Sequence, residues 1–171
     1  IFVSTASGIG GIGATSGALP SQGIYRSTDA TSADPTFTKL TGLAGNANAS
    51  VRDMVLDPLN PNLLVCSQTG IFVSTDALAA SPVFTQTQPS TGVFTEFAIQ
   101  HTSGPNPTIY AASGFGGGTV LMSIDGGNTW TQQIDNNFCT PQCFYDIAVA
   151  VDPTDATRVY LGGAPALVFG V

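Results

Sequence analysis

The side chains in this sequence able to do acid–base or ligand chemistry are few, and nearly all are carboxylates. Eleven Asp and Glu stand against four Lys and Arg and a single His, for a formal net charge of −7 over 171 residues. Two carboxylates can hydrolyse a glycoside when they flank it roughly 5–10 Å apart, one as acid and the other as base or nucleophile. Asp53 and Asp146 begin two apolar runs and are read as equivalent, with Glu96 as the matching residue between them. Such a row at one mouth of a channel would bind cations or sugars, or simply solvate strand ends, which is the plainer reading. Arg52, next to Asp53, is the one arginine placed to face the same way. Metal chemistry is poorly served. His101 lies in a polar turn, and Cys139 and Cys143 lack the further ligands of a zinc site. Asp135, Asp152 and Asp155 do not have the spacing of a calcium loop. Gly114-Phe115-Gly116-Gly117-Gly118 lies between two strand-like runs and reads as a hairpin, not as a phosphate cradle. No catalytic residue, metal ligand or cofactor is assigned.

The elements that must position these groups are strands. Only 9% of residues are charged, against ~25% in an average globular chain. Lys39 is the only lysine and Glu96 the only glutamate, whereas long helices draw heavily on both for their exposed faces. An all-β fold is therefore expected. At 43% hydrophobic there is ample material for a core. Four basic residues cannot track a phosphate backbone or an anionic bilayer, and no apolar run reaches the ~20 residues of a membrane-spanning helix. Neither nucleic-acid binding nor membrane insertion is expected. Cys139 and Cys143 form either a short-loop disulfide, which favours an oxidising compartment, or two free thiols. Cys66, inside Leu63-Leu64-Val65-Cys66, reads as a buried small hydrophobe.

The chain repeats itself. Gly23-Ile24-Tyr25-Arg26-Ser27-Thr28-Asp29, Gly70-Ile71-Phe72-Val73-Ser74-Thr75-Asp76 and Thr119-Val120-Leu121-Met122-Ser123-Ile124-Asp125 are apolar strands ending in Ser-x-Asp. Their aspartates fall 47 and 49 residues apart. Phe37-Thr38 and Phe84-Thr85 follow the first two at a longer interval than Trp130-Thr131 follows the third, a three-residue insertion in the turn. Short β-rich runs at 63–67, 108–113 and 158–163 precede glycine turns. Runs at 51–58 and 146–153 end in Asp-Pro, where Pro fixes φ and Asp bonds its own backbone. Four antiparallel strands recurring every ~40–50 residues is the layout of a β-propeller blade.

Ser123-Ile124-Asp125-Gly126-Gly127-Asn128-Thr129-Trp130 resembles the Asp-box, or BNR, repeat of sialidase-, xyloglucanase- and sortilin-like propellers. The copies at Ser27/Asp29/Phe37 and Ser74/Asp76/Phe84 are degenerate. The resemblance implies that Ser27, Asp29, Ser74, Asp76, Ser123, Asp125, Gly127, Thr129 and Trp130 staple hairpins and catalyse nothing. It implies a β-propeller segment of about three and a half four-stranded blades, with remnants at 1–45, 51–90, 94–135 and 145–171. Since propellers close with ~4–8 blades, the ring is expected to be completed by a longer polypeptide or by neighbouring subunits. A sialidase site needs three converging arginines and a Tyr-Glu pair. Arg26 and Arg158 do not lie on first strands, and that family's Phe-Arg-Ile-Pro signature is absent. The expectation is a secreted or cell-surface scaffold or binding module for a glycan or protein, with loops 8–22 and 135–144 as contact surfaces. The competing expectation is a glycoside hydrolase completed outside this segment.

Overall fold

The computed structural model describes residues 1–6, 21–43, 50–67, 69–89, 95–114, 118–135, 138–140, 142–143 and 146–163. Among them there is no helix, and the expectation of an all-β chain holds. The first sheet comprises β1 (Phe2–Thr5), β2 (Gly23–Arg26) and β3 (Thr38–Lys39). The second holds β4 (Met54–Leu56), β5 (Leu64–Ser67), β6 (Gly70–Ser74) and β7 (Thr85–Pro89). The third holds β8 (Thr95–Gln100), β9 (Thr108–Ser113), β10 (Thr119–Ser123) and β11 (Thr131–Asp135), and the fourth pairs β12 (Ile147–Asp152) with β13 (Asp155–Gly163). Strands adjoin in chain order and every pair is antiparallel. Each sheet is an up-and-down meander.

Composition explains the gradient across a sheet. β5 and β6 are buried along their whole length and read Leu-Val-Cys-Ser and Gly-Ile-Phe-Val-Ser, continuous apolar strings suited to strands covered on both faces. β7, Thr-Gln-Thr-Gln-Pro, is largely exposed, and its closing proline suits an edge strand because it lacks a ladder donor. In both four-stranded sheets the ladder to the last strand slips at the same repeat position, between Ile71 and Phe72 and between Val120 and Leu121. An extra residue there locally increases the twist.

The sheets stack face to face in chain order. Alternation along β6 sends Phe72 one way and Ile71 and Val73 the other. Phe72, Leu64 and Cys66 join Ile24 of the first sheet, with Leu40, Val51 and Phe84 closing the cluster. Val65, Ile71 and Val73 meet Phe97, Ile109, Ala111 and Leu121 of the third sheet. Full burial of one such Ile or Val is worth about 1.5–3 kcal/mol. Ala112, Ile147, Cys139 and Cys143 form a third cluster between the last two sheets. The main strand contacts between sheets are β4 with β8, β8 with β12 and β9 with β12, so successive first strands are neighbours. The structure joins Cys139 to Cys143 in a disulfide, with Cα atoms 4.8 Å apart. Gly163 lies against that loop so closely that a Cβ would stand 2.6 Å from Cys139 Cβ.

Candidate functional site

Three groups of polar residues stand out among the described residues: the Ser-x-Asp turns, the acids at the starts of the first strands, and one buried histidine.

In every turn the serine hydroxyl donates to Oδ1 of the aspartate, at 2.8 Å for Ser27–Asp29, 2.9 Å for Ser74–Asp76 and 2.8 Å for Ser123–Asp125. The aspartate N–H returns to the serine oxygen. That same Oδ1 closes the turn by accepting a backbone N–H at 2.9 Å from Thr36, Val83 or Thr129. The donor is seven residues beyond the aspartate in the first two turns and four beyond in the third, so the insertion read from sequence is absorbed ahead of the closing bond. Oδ2 of Asp29 and Asp125 then accepts the hydroxyl of Thr36 (2.9 Å) or Thr129 (2.6 Å). The Thr36 N–H, the Ser27 hydroxyl and the Thr36 hydroxyl hold the Asp29 carboxyl below its usual range. Burial works against ionisation of Asp125, but the bonds from Thr129 and Ser123 outweigh it and its carboxyl is lowered too. Gly127, at φ +87°, gives its N–H to Ser123 Oγ at 2.8 Å, a backbone angle open to glycine without steric cost. The Asp29 and Asp125 carboxylates are thus engaged through both oxygens within their own turns, whereas Asp76 is engaged through Oδ1.

The aromatic residue after each turn packs on the sheet before it. Phe84 is buried in the first cluster. Trp130 rests on the second, 6.4 Å from the Phe97 ring, and donates its indole N–H to Thr87 Oγ1 at 3.1 Å. Phe37 departs from the expected pattern and is 44% exposed, since no described sheet precedes its own.

At the first strands the structure brings Asp53 and Glu96 together. Asp53 Oδ1 accepts the Met54 N–H at 2.8 Å and Oδ2 accepts the Phe97 N–H at 2.7 Å. It thereby ties β4 to β8. Burial raises the Asp53 carboxyl against the pull of those two bonds, and Glu96 is raised by burial and by the Asp53 charge. Asp146 is exposed and precedes β12. Its reading as the counterpart of Asp53 is corrected by the ladders. Asp53 and Glu96 immediately precede Met54 and Phe97, which pair with Cys66 and Ala111. When Tyr160 is aligned with Tyr110, Ala148 takes that place, opposite Gly162. The two extra residues ahead of it put Asp146 beyond the strand. Arg52 is half-buried and gives its backbone N–H to Ser67 at 3.3 Å.

His101, read from sequence as part of a polar turn, is buried. Its Nδ1 lies 2.7 Å from Asp57 Oδ1, and the side chains are 4% and 1% exposed. Nε2 lies 3.2 Å from the Gly104 carbonyl. Both partners offer acceptor atoms, an arrangement that a doubly protonated ring satisfies at both nitrogens. The Asp57 bond raises its pKa, burial opposes this, and the Gly104 carbonyl adds to the rise. Nothing local in the sequence links residues 57 and 101. The available signal is positional, since each follows the end of a first strand.

Of the two loops expected as contact surfaces, residues 8–20 of loop 8–22 and residues 136, 137, 141 and 144 of loop 135–144 lie outside the described residues, and Cys139 and Cys143 in the latter are buried. Among the described residues no three or more His, Cys, Asp or Glu gather in a metal-binding group, and no helix is long and apolar enough to cross a membrane. Comparison with protein-family models, with curated proteins and with solved structures returned no match to this chain.

Proposed function

We propose that this chain is part of an Asp-box β-propeller serving as a non-catalytic extracellular scaffold or binding module for a carbohydrate or protein ligand. Its blades would be the segments 1–45, 51–90, 94–135 and 145–171, with the ring completed by a longer polypeptide or by neighbouring subunits. The observation that carries this reading is the stacking of consecutive meanders whose first strands adjoin, as blades do around an axis. The shared bonding of the three Ser-x-Asp turns supports it. A non-catalytic role is supported by the acids themselves. Asp29 and Asp125 bond within their own turns through both oxygens, and both oxygens of Asp53 accept backbone N–H groups, which commits these carboxylates to backbone support. The Cys139–Cys143 disulfide favours an oxidising compartment. Two measurements on the intact protein test the reading: electron microscopy should give rings with radial sheets, and a glycan panel should show binding without sugar release. Released sugar would overturn the non-catalytic role.

The glycoside-hydrolase alternative draws on one observation, the neighbouring and raised carboxyls of Asp53 and Glu96, because a raised carboxyl suits a general acid. In that case Glu96→Gln would abolish hydrolysis by the intact protein.

A further inference from the structure

Where the Ser74-x-Asp76 turn of the second sheet meets the Ser123-x-Asp125 turn of the third lies a cavity of about 280 Å³ lined by Val73, Thr75, Asp76, Val83, Thr85 and Asn128. No cationic side chain lines it. The preceding pair of sheets provides its internal counterpart. Arg26 holds the position before Ser27 that Val73 holds before Ser74. The Arg26 guanidinium reaches across to the second sheet and donates from Nη1 to the carbonyls of Ala77 (2.8 Å) and Ala79 (2.7 Å). Ala79 is the third residue after Asp76, as Asn128 is the third after Asp125. One seam is thus filled by the chain's own guanidinium, while at the next a valine stops short and leaves room.

A second substitution removes a donor from the same place. In the first and third turns a threonine hydroxyl satisfies Oδ2 of the aspartate, at 2.9 and 2.6 Å. In the middle turn that threonine is Val83, 64% exposed. The hydrogen bonds of Asp76 run through Oδ1, from Ser74 and Val83, so Oδ2 accepts none from the described residues. One carboxylate oxygen without a donor, beside apolar valine walls that match an alkyl stem, calls for a cationic donor on an aliphatic chain. The guanidinium fits better than an ammonium because its planar fork can serve several acceptors at once. The surplus of acids over bases, a net charge of −7, favours a basic visitor.

We propose that this cavity binds a guanidinium group, as borne by an arginine side chain, in the place that Arg26 fills at the neighbouring seam. The proposal does not rest on the ring, since both walls of the cavity belong to this chain. The test is a titration of the ¹⁵N-labelled protein with N-acetyl-arginine amide and with its citrulline counterpart, which has the same shape without the charge. Saturable shifts at Asp76, Val83 and Asn128 are expected, with citrulline bound at least about tenfold more weakly. Val73→Arg should fill the cavity from within and abolish the shifts. Val83→Thr, which restores the hydroxyl of the other two turns, should weaken them while leaving the rest of the spectrum unchanged. A Gly-Gly-Arg-Gly-Gly peptide bound more tightly than the amide points to a protein as the source, and equal affinity to a small guanidinium compound. Absent saturation with the arginine amide, equal binding of citrulline, or undiminished binding by Val83→Thr overturns the proposal.

Discussion

Replacing His101 by alanine probes the seam between the second and third sheets most directly. The substitution strands the Asp57 carboxylate, 2% exposed as a residue, with the Leu59 N–H at 3.0 Å as the remaining hydrogen bond to Oδ1. Breaking a buried ion pair by deleting one member costs about 3–5 kcal/mol. The surviving Leu59 bond places the expected loss near the low end, about 3 kcal/mol, or a fall in melting temperature of roughly 6–12 °C for a chain of this length. The pH dependence fixes the sign. The folded pKa of His101 is raised above 6.5, so its stabilisation is fully present below that value and is lost as pH rises through the folded pKa. A neutral ring would aim a lone pair at either the carboxylate or the carbonyl. Urea unfolding of the parent should therefore show a midpoint that falls between pH 6 and pH 9, and His101→Ala should show no such slope. The reasoning fails if the variant lies within about 1 kcal/mol of the parent at pH 6, the size of an exposed pair, or if the parent's midpoint is flat across that range.

Three further outcomes are expected. Asp29 and Asp125 have depressed carboxyl pKa values, so their stabilisation is present above the unfolded pKa and lost as pH falls through the folded one; Asp29→Asn with Asp125→Asn should flatten the acid limb of urea midpoints measured from pH 6 to pH 2. Reducing the Cys139–Cys143 disulfide, whose closed loop is short, should cost about 2 kcal/mol on the chain-entropy account, read as a lower melting temperature in reductant. Cys66 is fully buried and its thiol is pushed up by that burial, so a thiol reagent should find one reactive cysteine only after unfolding.

What was legible in the sequence is what depends on neighbours along the chain. Ser and Asp two residues apart bond each other wherever a strand turns, so the three turns and the length difference between them follow from spacing alone. Strand order follows too, because each hairpin is local. The ties between sheets are not legible in this way. Asp53 to Phe97 and Asp57 to His101 each span 44 residues, and the matching of two first strands is set by how whole sheets pack. The misreading of Asp146 has the same origin: sequence shows where an apolar run begins, whereas the ladder to Gly162 and Gly163 decides where the strand begins. Phe37 is exposed although it stands where Phe84 and Trp130 pack, because burial of this aromatic depends on the sheet behind it, which its own sequence neighbourhood cannot supply.

The Asp53 and His101 linkages grip β4 and β8 at opposite ends. Two meanders bolted at both ends of a shared joint should open together, so their amides should exchange with solvent as one slow set while the first and fourth sheets exchange sooner. The 280 Å³ recess lies between turns of the same two sheets. A side chain arriving there would meet sheets already tied to each other, which leaves less ordering to oppose its capture.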